Sequence, residues 1–122
     1  LKNKNITFLG VTFKPNTDDM REASSIPMIN YLNKKGSKIR YYDPSGRKKE
    51  FDKLKNVKFY SSISSACIKS DLIIIHTEWN AFKLLDFKKL VKKKNFKVFD
   101  MRNIYSHDKM RYLKIDYTSI GR

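Results

Sequence analysis

The stretch Asp71-Leu-Ile-Ile-Ile-His-Thr-Glu-Trp79 (DLIIIHTEW) decides the fold. Leu72 to Ile75 is apolar at every position, so a strand here buries both faces, and the run is far too short to cross a bilayer. Ile6 to Val11 is a second strand of this kind, ended by Gly10 and a polar loop. Strands without alternation belong to a parallel sheet covered on two sides. Working outward, Ile26, Ile29 and Leu32 recur at helical spacing, with Ser24 and Ser25 as caps, Pro27 in the first turn and Gly36 as the stop. Lys38 to Tyr42 reads as a strand closed by the turn Asp43-Pro44-Ser45-Gly46. The spacing then predicts a basic helix over Arg47–Leu54, a strand over Val57–Tyr60 and a short helix over Ile63–Lys69. Beyond the central strand, Phe87, Leu90 and Val91 mark a helix, Lys97–Asp100 a strand, and Arg111–Tyr117 an extended piece at a sheet edge. Alternating strands and helices with short connections predict an α/β fold: a Rossmann-like open, mostly parallel sheet with helices on both faces, three layers in all.

The chain has 122 residues, 40% hydrophobic and 13% aromatic, which fits one globular domain over residues 1–122. It starts at Leu1 rather than methionine, as a piece of something longer would. There is no secretory signal pattern, and the lone Cys67 excludes an internal disulfide and fits a reducing, cytoplasmic setting. The net charge of +15 raises nucleic acid as a partner. The basic residues, however, fall in separate clusters, such as Lys34-Lys35, Lys53 with Lys55, and Lys92 to Lys94. On several predicted helices they read as solvated surface, and neither a nucleic-acid nor a membrane partner is expected. A basic nucleic-acid-binding module and a contact with an acidic partner domain remain the rival readings.

Ligands of an open parallel sheet gather at the carboxyl ends of its strands. Three loops there carry polar groups that the sheet does not need. Gly10 to Ser25 holds Lys14, Asp18, Asp19, Arg21 and Glu22 beside a helix start. It lacks the repeated glycines of a dinucleotide loop, but a lysine and free backbone N–H groups suit a diphosphate. An exposed polar loop with a capping-box variant reads equally well. In "FDMRNIY" (99–105), Arg102 follows a buried strand and can offer its planar fork to a phosphate, or pair with Asp100 or Glu78. His76 and Glu78 share a strand face, but without a third ligand no metal site is expected, and His76 reads as a packed or capping histidine. Trp79 reads as a wedge holding its loop to the domain, Cys67 as a buried inert thiol, and His107 as a turn residue with no nucleophile beside it. No catalytic pair is evident.

The motifs "FLGVTFKPNTDDMREASS", "YYDP", "HTEWNAFKLLDF", "VFDMRNIY" and the terminal "IGR" make the chain closely resemble the carboxyl-terminal, UDP-binding domain of UDP-glucose 6-dehydrogenases. GDP-mannose and UDP-N-acetylhexosamine dehydrogenases share a looser version. The resemblance implies a domain of an NAD-dependent enzyme that oxidises UDP-glucose to UDP-glucuronate. The family's NAD-binding domain and helical connector, its cysteine nucleophile and its catalytic lysine are absent from this chain, and no catalytic residue is assigned in it. On the same resemblance Phe13, Lys14, Pro15, Asn16, Thr17 and Arg102 line the UDP-sugar site, and Arg21 reaches toward NAD, oriented by Asp18, Asp19 and Glu22. The partners implied are the UDP-sugar, the amino-terminal NAD-binding domain of the same polypeptide, and a second copy in a homodimer.

Overall fold

A computed structural model describes residues 2–120; Gly121 and Arg122 of the "IGR" motif lie outside the described residues. Six strands form one sheet: β1 (Asn5–Leu9), β2 (Lys38–Tyr42), β3 (Val57–Phe59), β4 (Leu72–Ile75), β5 (Lys97–Asp100) and β6 (Asp116–Ser119). Their order is β3-β2-β1-β4-β5-β6, and all five pairings are parallel. The chain therefore starts mid-sheet, winds to one edge, crosses over and winds to the other. The crossover leaves β1 and β4 side by side, with Leu9 opposite Ile75, and their exit loops diverge from one point.

Helix α1 (Ser25–Lys34) covers one face, where Ile29 and Leu32 pack on Ile6, Phe8, Ile39 and Ile74. Helices α2 (Ile63–Cys67), α3 (Phe87–Val91) and α4 (His107–Tyr112) cover the other, where Cys67, Phe87, Val91 and Met110 pack on Leu9, Ile73, Ile75 and Val98. β1 and β4 thus bury both of their faces, as strands inside a covered parallel sheet do, with the buried Thr7 hydroxyl of β1 satisfied by the Ala66 carbonyl at 2.6 Å.

Three expectations change. The segment Arg47–Leu54 forms only a 3₁₀ turn, Lys49–Phe51. Lys48 donates its N–H to the Tyr41 hydroxyl at 2.8 Å, and Phe51 lies edge-on to the Tyr41 ring, a packing that fixes the chain before a longer helix can grow. Arg111–Tyr117 is extended only from Asp116: Ser106 accepts the Lys109 N–H and starts α4, which runs from His107 to Tyr112, and the edge strand begins at Asp116. Ser24 stands at the start of α1, but its hydroxyl makes no cap bond because His76 takes it.

Candidate functional site: the carboxyl edge of the sheet

The loop leaving β1 is pinned by buried groups. Asp43, 1% exposed at the end of β2, accepts the Val11 N–H at 2.8 Å and the Thr12 N–H at 3.3 Å through one oxygen. Its other oxygen accepts the Ser45 N–H and hydroxyl at 2.9 and 2.5 Å. The Ser25 hydroxyl donates to the Val11 carbonyl at 2.5 Å from the first turn of α1. A buried carboxylate with four donors fixes the path of every group that donates to it. From this anchor the Thr12 hydroxyl donates to the Lys14 carbonyl at 2.9 Å, and the chain runs out through Phe13 and Lys14, both exposed. Pro15 and Thr17 are half-buried, and Asn16 between them is exposed with a left-handed φ of 63°.

Among the acids of this loop, Asp19 alone is engaged. Its carboxylate clasps the Arg21 guanidinium, Nε to Oδ1 at 3.1 Å and Nη2 to Oδ2 at 3.0 Å, and also accepts the Arg21 N–H at 2.9 Å. Those bonds hold the Asp19 carboxyl below its usual range and push the guanidinium up. Asp18 and Glu22 make no hydrogen bond or ion pair among the described residues, so the expectation that all three acids orient Arg21 narrows to Asp19.

His76, at the exit of β4, is fully buried and joins the loops. Its carbonyl accepts the Arg102 Nε–H at 2.7 Å, and its Nε2 meets the Ser24 hydroxyl at 2.9 Å. Its Nδ1 lies 3.1 Å from the Thr77 hydroxyl, which gives its own proton to the Thr12 carbonyl at 2.8 Å. That direction assigns the ring proton to Nδ1 and leaves Nε2 to accept from Ser24. Burial first, then the Arg102 charge, lower the His76 pKa to about 4 against a smaller opposing pull from Asp43. Both ring nitrogens are engaged by hydroxyls, which leaves neither for a metal ion. Gly10 makes the junction possible: its φ is +81°, and a Cβ there would sit 2.6 Å from the Thr77 Cβ.

At the exit of β5, Asp100 does not meet the Arg102 side chain. It accepts the N–H groups of Arg102, Ile104 and Tyr105 and the Tyr117 hydroxyl, which together curl the loop back. The Arg102 fork is thereby turned toward His76, and beyond the Nε bond it has no partner among the described residues. A continuous path runs from Arg102 through His76, Thr77 and Thr12 to Lys14, residues 14 and 102 being 88 positions apart in sequence. Phe13 to Thr17, Arg21 and Arg102 thus stand on one edge. The Lys14 ammonium makes no hydrogen bond or ion pair among the described residues, so both loops on this edge carry a cation whose charge no acid pairs. A charge-assisted bond from such a cation to an anionic oxygen is worth about 1.5–3 kcal/mol.

The roles of Asp43, Thr12, Thr77 and Ser24 in joining these loops escaped the sequence reading. Asp43 had a signal, as an aspartate closing a buried strand just before proline, but it read as a turn. The remaining candidates are taken up within the fold. Cys67 is fully buried on α2 and burial pushes its thiol up to about 12; His107 bonds Ser119 and lies edge-on to Tyr117. Trp79 packs into the second core cluster as a wedge.

A profile of the UDP-glucose/GDP-mannose dehydrogenase family, UDP binding domain, matches residues 7–107. A UDP-glucose 6-dehydrogenase of Rhizobium meliloti (strain 1021) is 36% identical over 125 residues, a match that takes in all of this chain and 28% of that protein. A UDP-glucose 6-dehydrogenase of Bacillus subtilis (strain 168) is 37% identical, over 98% of this chain and 28% of its own. Among solved structures, a UDP-glucose dehydrogenase from Pyrobaculum islandicum aligns with a TM-score of 0.74 at 27% identity, over 97% of this chain and 25% of that one. An NDP-N-acetyl-D-galactosaminuronic acid dehydrogenase from Methanosarcina mazei Go1 shares the fold, with a TM-score of 0.84 at 23% identity over 99% of this chain and 25% of that one. The chain spans a little over a quarter of the length of the curated relatives it matches.

Proposed function

Since this chain belongs to the UDP-glucose/GDP-mannose dehydrogenase family, through its UDP binding domain, we propose that its carboxyl edge holds the UDP part of UDP-glucose in an NAD-dependent 6-dehydrogenase. The enzyme oxidises that sugar to UDP-glucuronate in a reducing, cytoplasmic compartment. The observation that carries the reading is the meeting of the Lys14 and Arg102 loops on His76 and Thr77. In this arrangement Lys14 and Arg102 bind the diphosphate, and Phe13 with Pro15 to Thr17 walls the sugar nucleotide. Binding energy realised on UDP, remote from the sugar C6, orients the alcohol for oxidation. The choice of sugar rests on the curated relatives, which are UDP-glucose 6-dehydrogenases at 36% and 37% identity.

NAD does not fit this chain as a resident cofactor. The β1–α1 loop has one glycine, Gly10, and the Thr77 side chain already fills the space beside it. NAD is therefore held mainly by a separate amino-terminal domain of the same polypeptide, in a homodimeric enzyme, with Arg21 reaching toward it from its Asp19 clasp. The resemblance places the cysteine nucleophile and the catalytic lysine outside this chain, so the domain alone is inactive.

Calorimetry with UDP, GDP and a UDP-N-acetyl sugar tests the reading. UDP binds with the tightest affinity, and Lys14→Ala or Arg102→Ala weakens it about tenfold or more. Equal affinity in both variants removes the site assignment, and turnover of UDP-glucose with NAD by this chain removes the assignment of labour.

A further inference from the structure

The parallel topology gathers the positive charge. Every segment that enters a strand arrives at the amino edge, opposite the nucleotide rim. Two lysines precede or open each of β1, β2 and β3, one each of β4 and β6, and four β5; these twelve face only Asp52, Asp71 and Asp116. Segments leaving the strands, with the last strand residues, hold six Lys and Arg against seven acids. The amino edge thus carries twelve lysines against three acids, whereas the opposite edge is close to neutral, although in the sequence the basic residues are spread over the whole chain.

Two clefts open on that edge. One, of about 910 Å³, has a floor that includes Leu72, Phe96 and Ile115 and is rimmed by Lys4, Lys88, Lys93, Lys94, Lys97 and Lys114. Of its two carboxylates, Asp71 is held by Lys93 and by the Asn5 N–H, leaving Asp116. The second, of about 530 Å³, is lined by Lys38, Arg40, Lys58 and Lys69 and by no carboxylate. Lys4 and Asn5 adjoin across the two, and the Lys69 ammonium donates to the Lys92 carbonyl at 2.8 Å, so they form one basic tract. The residues Lys69, Lys92 and Lys114, where α2, α3 and α4 end, have left-handed φ of 59°, 53° and 58°. Glycine adopts this backbone without strain, whereas lysine costs about 1 kcal/mol. Lysine holds the position at all three helix ends.

We propose that the amino edge is a binding surface for the phosphodiester backbone of a nucleic acid, gripped without reading of base sequence. This departs from the expectation of no nucleic-acid partner, because that expectation rested on scattered charge. Lysine ammoniums are point charges suited to phosphates and counterion release, whereas protein interfaces are depleted in lysine and rely on arginine and aromatic anchors. A lipid surface fits poorly, since the lysines ring a concavity whose apolar residues lie at its floor.

Fluorescence anisotropy with a labelled mixed-sequence oligonucleotide and its scramble tests the proposal. Both bind equally, UDP does not displace them, and affinity falls about a hundredfold between about 50 and about 200 mM salt. Lys94→Glu with Lys97→Glu weakens binding about tenfold or more and flattens the salt slope by about two. Lys49→Glu with Lys83→Glu, the same charge change away from this edge, costs less than about twofold. Circular dichroism melts confirm that both double variants are folded. Equal loss in the two double variants, no binding at low salt, displacement by UDP, or tighter binding of poly-glutamate or anionic vesicles overturns the proposal.

Discussion

The two edges of the sheet use charge in opposite ways. At the carboxyl edge Asp43 and Asp100 are buried, and each accepts four hydrogen bonds that set the course of a loop. At the amino edge the lysines are mostly exposed, and the ion pair there joins Lys93 to Asp71. Buried carboxylates build geometry because every donor must reach them, whereas exposed ammoniums build only a field. Fixed geometry suits a small ligand with two phosphates; a field suits a long polyanion of any sequence.

Substitutions should separate the edges by size of effect. Asp43→Ala leaves the Val11 and Thr12 N–H groups buried without their acceptor, and chemical denaturation should show a loss of about 3–5 kcal/mol. Lys94→Ala should stay within about 0.5 kcal/mol, and comparable losses at both positions would erase the contrast.

Next comes acid. His76 ionises at about 4 in the fold against 6.5 when unfolded. Between those values the unfolded chain binds more protons, so stability falls as pH drops from about 6.5 through about 4, by up to roughly 3 kcal/mol. His76→Gln should lose this share of the pH dependence, and an unchanged profile would remove His76 from the junction. The smallest effect runs the other way. Lys92→Gly relieves a left-handed lysine and should raise stability by up to about 1 kcal/mol, while a loss would mean that Lys92 is not strained.

Much of the fold was legible because β1 and β4 are apolar on both faces, a pattern that only a covered parallel sheet explains. α4 was missed because Met110 is its one buried side chain, too little for a helical period, and its Ser106 cap looked like a turn. Lys14 and Arg102 could be chosen from their places after strands. The path joining them could not, since Asp43, Thr12, Thr77 and Ser24 act through hydroxyl and carboxylate contacts that only the strand order creates. The charge tract was illegible for the same reason. Lys4, Lys97 and Lys114 become neighbours only when β1, β5 and β6 lie in one sheet.

Titrating UDP into the isotope-labelled chain and following its backbone amides by NMR tests the central claim most directly. The account predicts shifts confined to residues 10–17, 76–77 and 100–104 at the carboxyl edge. Shifts centred instead on the cleft around Lys94, Lys97 and Lys114, or none at saturating UDP, would contradict it.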